Sequence, residues 1–80
     1  MDTNDIQVHI EDLVAEEHRL LEKAEAAPLE ATDRQRLADV NVQLDRYYDL
    51  LRQRRARAEF GQDPERAAIR SGDTVEKYLQ

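Results

Sequence analysis

The chain has no cysteine, no tryptophan and a single phenylalanine among its 80 residues. Without cysteine there is no disulfide, no thiol nucleophile and no thiolate metal ligand, so the fold rests on packing alone, and a reducing compartment suits it. Glycine occurs only at Gly61 and Gly72, which excludes a glycine-rich loop able to cradle phosphates. Aromatic residues make up 5% of the chain and prolines number two, a composition that disfavours β-structure and leaves long stretches open to helix. No apolar run approaches the roughly 20 residues of a membrane span. The opening Met1-Asp2-Thr3-Asn4-Asp5 carries neither the basic patch nor the apolar stretch of a secretion signal, so the expected location is the cytoplasm.

What the chain does have is charge and period. Asp and Glu number 18 against 12 Lys and Arg, for a net charge of -6. The apolar residues recur at helical spacing, which argues against disorder. Ile6, Ile10, Leu13, Val14, Leu20, Leu21 and Ala24 fall on one side of a helix, over about residues 5–27. Asn4 is the expected cap, with Gln7 reaching back, while Asp2 and Asp5 favour the positive end of the helix dipole. The pattern stops at Pro28, and Thr32-Asp33-Arg34-Gln35 reads as a capping box that opens a second helix over about 33–60. Its stripe is Leu37, Val40, Leu44, Tyr47, Tyr48, Leu51, Arg55 and Ala58, and Gly61 is placed to end it.

So short a link implies an all-α fold, an antiparallel two-helix hairpin over residues 1–61 with a partly helical C-terminal tail over 62–80. Folding about residue 29 puts Leu20 near Val40, Leu13 near Tyr47 and Tyr48, and Ile6 near Leu51 to Arg55, with the second helix overshooting by about one turn. In the tail, Asp63-Pro64-Glu65 resembles a helix start, and Asp73 with Glu76 repeats a cap-like spacing before Val75, Tyr78 and Leu79. One two-helix interface buries little surface for a chain of this length. The expected remedy is a homodimer whose two hairpins form a four-helix bundle with two-fold symmetry. Tyr47 and Tyr48 straddle the stripe, so one can face the first helix and the other a second chain. The competing arrangement is closure within one chain, with Ile69, Val75, Tyr78 and Leu79 over the open face.

Catalytic chemistry finds few candidates. Glu17 lies mid-stripe, which offers either a buried acid of raised pKa or a register-fixing polar residue paired with Asn41 or a tyrosine hydroxyl. The second is the more ordinary outcome. His9 and His18 lie on different sides of one helix, and no Glu-x-x-His pair accompanies them, so no metal or cofactor is expected. The lone serine, Ser71, stands in the tail. These absences point to a non-enzyme.

The arginines Arg52, Arg54, Arg55 and Arg57 are the strongest local signal. Residues 1–30 carry nine acids against two bases, and residues 51–70 carry six bases against three acids. A nucleic-acid grip through the strip 52–57 is one reading, but the four project around most of the helix and no aromatic is interleaved to stack bases. The better-supported reading sets the strip beside Asp2, Asp5, Glu11 and Asp12 of the first helix. Arg55, which continues the stripe, is then the candidate for an internal or intersubunit ion pair, and Arg52, Arg54 and Arg57 remain for a partner.

The words Glu11-Asp12-Leu13-Val14-Ala15-Glu16-Glu17-His18-Arg19-Leu20-Leu21 and Asp49-Leu50-Leu51-Arg52-Gln53-Arg54-Arg55-Ala56-Arg57 carry a resemblance. With the exit Gly61-Gln62-Asp63-Pro64 and the ending Val75-Glu76-Lys77-Tyr78, the chain resembles a small actinobacterial family of unknown function, domain of unknown function 2630. The resemblance implies a short bacterial protein with no recorded substrate, and it brings no catalytic residue to any position. The functional expectation is therefore a homodimeric protein-interaction or regulatory module. Its contact residues would come from Tyr47, Tyr48, Leu51, Arg55, Phe60, Tyr78 and Leu79, with Glu17 as the possible buried polar residue. A protein partner is expected, whereas nucleic acid is the alternative and a membrane is not expected.

Overall fold

The structure is a computed structural model that describes residues 1–70. It is an antiparallel helical hairpin: α1 spans Thr3–Ala26, α2 spans Ala31–Glu59, and a single 3-10 turn follows at Pro64–Arg66. No strand is present among the described residues.

The helix starts differ from the expected ones for local reasons. Asp2, not Asn4, caps α1, and its Oδ1 accepts the Asp5 backbone N–H at 2.8 Å. A carboxylate there both pairs an orphan amide and meets the positive end of the dipole, so the helix begins two residues early. The capping box at Thr32 does not form. Glu30 stands in extended conformation at the cap position and offers no side-chain bond, which leaves Thr32 inside the first turn of α2. Asp33 instead reaches across the turn to Lys23 Nζ at 2.9 Å, and the Arg34 guanidinium donates to the Leu29 carbonyl at 2.6 Å. The link thereby tightens to residues 27–30.

The end of α2 follows its local chemistry. The Gln62 N–H bonds the Arg57 carbonyl at 2.7 Å and the Gly61 N–H bonds the Ala58 carbonyl at 3.2 Å, a Schellman arrangement with Gly61 at φ +71. Asp63 then accepts from the Glu65 N–H and Pro64 opens the 3-10 turn, as their spacing implies.

The shorter turn shifts the register. Lys23 pairs with Asp33 and His9 stacks on Tyr47, both pairs centred on residue 28 rather than 29. Leu13 consequently packs with Val40 and Leu44, joined by Ile10, Val14 and Tyr47, while Leu20 is buried outside that cluster and Tyr48 stays exposed. Ile6 and Val40 are fully buried, each worth about 1.5–3 kcal/mol of transfer free energy. At 29 residues against 24, α2 outruns α1 by about 8 Å, the anticipated overshoot.

Beyond Gly61 the chain turns back and lies along one flank of α2, forming a strap over residues 62–70. Leu50, off the main stripe, is buried at 3% exposure on the flank that carries it. Ile69 borders a hollow with Gln43, Arg46 and Tyr47, so it does not cover the opposite, open face. Val75, Tyr78 and Leu79, the rest of the expected closure, lie outside the described residues.

Candidate functional site

Two regions flank the hairpin core. The first is the seam between α2 and the strap. Arg46, Asp49 and Gln53 follow one another at i, i+3 and i+7, one flank of a helix. The Gln53 side chain grips the backbone of Ala68 in both directions, its Nε2 donating to the carbonyl at 2.7 Å and its Oε1 accepting the N–H at 3.4 Å. Arg46 Nε donates to the Arg70 carbonyl at 3.0 Å. Between them Asp49, only 5% exposed, accepts from Gln53 at 2.9 Å and faces Arg70 Nε at 3.4 Å and Arg52 Nη2 at 3.8 Å.

At the end of the seam Arg54 is the hub. Its guanidinium donates to the carbonyls of Met1 at 2.9 Å and Pro64 at 3.4 Å and to the Glu65 carboxylate at 2.9 Å. Glu65 also faces the Met1 ammonium at 3.7 Å. No buried side-chain polar atom among the described residues lacks a partner. The seam is a clamp, and among the described residues no group of three His, Asp or Glu side chains is placed to hold a metal.

The second region is the pair of broad faces of the hairpin. On one face the helices are tied by polar and ring contacts: Lys23 to Asp33, the Arg36 guanidinium to both oxygens of Glu16, and His9 flat against Tyr47 with ring centroids 5.2 Å apart. The Arg36 bond holds the Glu16 carboxyl below its ordinary range, and the Asp33 bond raises Lys23 above its own. On the other face no such tie is found among the described residues. Helical phase places Ile10, Val14, Leu21, Leu37, Tyr48 and Leu51 there, half-buried except for Leu21 and Tyr48, which are 45% and 42% exposed. An open groove at the end of this face runs between Thr3 and Gln7 of α1 and Leu51, Arg54, Arg55 and Ala58 of α2, and Pro64 of the strap lines it as well.

Several expected roles change hands. Glu17 is half-buried and has no hydrogen bond or ion pair among the described residues, neither to Asn41 nor to a tyrosine. The enclosed carboxylate is Asp49, on the opposite side of α2 from its stripe, where the strap passes over it. Arg55 makes no internal ion pair and is exposed, whereas Arg54, expected to be free, is half-buried at 13% side-chain exposure. The acids of early α1 do not pair with the strip: Asp2 is a cap, and Asp5, Glu11 and Asp12 are exposed and make no ion pair among the described residues. Phe60 is 80% exposed, Tyr47 is held by His9, and Tyr78 and Leu79 lie outside the described residues. One signal for the seam was present in the sequence, an off-stripe leucine, Leu50, flanked by Arg46, Asp49 and Gln53.

Residues 2–80 match the model of a family described as protein of unknown function, DUF2630. The chain belongs to the DUF2630 family. Among its relatives are uncharacterized proteins of Mycobacterium bovis and Mycobacterium tuberculosis, each 44% identical over 71 residues, covering 88% of this chain and 82% of theirs. The resemblance read in the arginine word and its glycine exit is borne out, as is its actinobacterial setting. No solved structure matches the chain. Among the described residues, no helix is long and apolar enough to cross a membrane.

Proposed function

We propose that this DUF2630 protein is a non-enzymatic, homodimeric interaction module, a helical hairpin that works by contact rather than by chemistry. The observation that supports this is the asymmetry of its two faces. One is fastened by three cross-helix contacts and flanked by the strap, while the other offers half-buried apolar side chains and a groove with nothing tying them. Apolar side chains collected on one face of a small hairpin are the signature of an association surface. Two hairpins meeting through such faces make a four-helix bundle, and the overshoot of α2 with exposed Phe60 then remains for a further protein partner.

The nucleic-acid reading loses ground on the arginines. Arg54 is turned into the strap, and Arg52, Arg55 and Arg57 project around α2 instead of lining one surface that could track a phosphate backbone. The test of the proposal is mass by light scattering across a dilution series in the micromolar range, with helicity followed in parallel. A dimer that dissociates only on dilution is expected, and a folded monomer at every concentration refutes it.

A further inference from the structure

The open face holds two charged side chains with no partner among the described residues, Glu17 of α1 and Arg55 of α2. They cannot reach each other within one hairpin. The His9–Tyr47 stack marks a common level on the two antiparallel helices. Glu17 lies eight residues beyond His9 and Arg55 lies eight residues beyond Tyr47. At 1.5 Å per residue each is about 12 Å from that level, in opposite directions along the hairpin.

We infer that the occupant of the open face is a second copy of this chain, packed antiparallel about a two-fold axis at the His9–Tyr47 level, with Glu17 of each protomer paired to Arg55 of the other. The inference rests on the dimer reading above and deepens it by fixing face, axis and register. A rotation that exchanges the two ends of the hairpin brings equal and opposite heights together, which is the relation between Glu17 and Arg55. Both also share a helical phase that aims them at the middle of a bundle.

The apolar residues fit the same operation. Tyr48 is one residue from the axis level, so it meets its own copy across the axis. Val14, about 7.5 Å to one side, and Leu51, about 6 Å to the other, come to neighbouring heights on diagonally opposed helices. The groove beside Leu51, Arg55 and Ala58 is then filled by Glu17 and Leu21 of the other protomer. The parallel alternative leaves heights unchanged, so Glu17 and Arg55 of the two protomers would stay about 24 Å apart along the bundle and go unpaired.

The full chain contains no cysteine, so single substitutions report proximity cleanly. Tyr48→Cys is expected to give a disulfide-linked dimer on mild oxidation, since an isologous contact near the axis brings the two copies of one residue within bonding range. Glu11→Cys, on the outer side of α1, is the control and stays monomeric in denaturing electrophoresis. Glu17→Arg and Arg55→Glu are each expected to weaken the dimer about tenfold or more, and the double reversal to restore it. A wild-type chain that is monomeric at every concentration overturns this assignment and the dimer reading together. A wild-type dimer in which Tyr48→Cys fails to cross-link and the double reversal fails to rescue overturns the face and register alone. Dimerisation seen only after removal of residues 71–80 shows that this segment occupies the face in cis, and also overturns the inference.

Discussion

Replacing Asp49 by alanine tests whether the seam holds the strap. The side chain is 7% exposed and takes a 2.9 Å bond from the Gln53 amide. A hydrogen bond to a charged group contributes about 1.5–3 kcal/mol. Arg70 and Arg52 add little, because at 39% and 52% side-chain exposure both can return to water, and exposed pairs contribute about 0–1 kcal/mol. The loss in Asp49→Ala is therefore about 2 kcal/mol, which in a domain of this size lowers Tm by about 8–16 °C. Asp49→Asn keeps an acceptor for Gln53 and loses the charge, so its effect is about half as large. Asp12→Ala, at an exposed position of α1, removes the same side chain and gains the same helix propensity without a partner to lose. Thermal unfolding by circular dichroism at one fixed protein concentration gives the comparison, and amide exchange at Ala68 reads the strap directly. If Asp49→Ala melts with Asp12→Ala and the Ala68 amide keeps its protection, the buried carboxylate does not hold the strap.

Gly61→Ala isolates the cost of one backbone conformation. An added Cβ would meet nothing within 4 Å, so only the left-handed φ is penalised, and urea unfolding should show a loss of about 1–2 kcal/mol of stability. Glu16 gives a pH signature: its carboxyl is held below the ordinary range by Arg36, so it adds stability above its unfolded pKa that is lost as pH falls through the lower folded value. Glu16→Gln should therefore flatten the acid limb of the stability profile and leave the alkaline limb unchanged, and an unaltered acid limb in pH-dependent melts would contradict the Arg36 pairing.

Where a few neighbouring residues decide the outcome, the sequence was legible. Gly61 ends α2, Asp63-Pro64 starts the 3-10 turn, and the stripes of Leu13 and Val40 with Leu44 face one another as their periods imply. Register was less so, because it depends on which of several capping groups wins. Asp2 outcompeted Asn4, and Asp33 found Lys23 across the turn instead of supporting Thr32. Each choice moves a helix start by two residues, and two residues in the turn reset every contact above it. The seam was the least legible part. Its partners are main-chain atoms of residues 64, 68 and 70, and an apolar or charge pattern carries no mark of which side chain will read a backbone. The arginine strip misled for the same reason, since Arg54 bonds the carbonyls of Met1 and Pro64 and the Glu65 carboxylate rather than the acids of α1.

The way Gln53 and Arg46 hold the strap has an evolutionary consequence. Their bonds end on the amide and carbonyl of Ala68 and on the carbonyl of Arg70, atoms that nearly every amino acid supplies. Selection to keep the strap in place therefore acts on the helix that grips and scarcely on the residue that is gripped. Position 68 is free to drift among all residues that keep an N–H, with proline the one forbidden neighbour, while Gln53 has almost no substitute able to donate and accept at that reach. In a saturation-mutagenesis map, tolerance and intolerance would sit side by side across a single hydrogen-bonded pair.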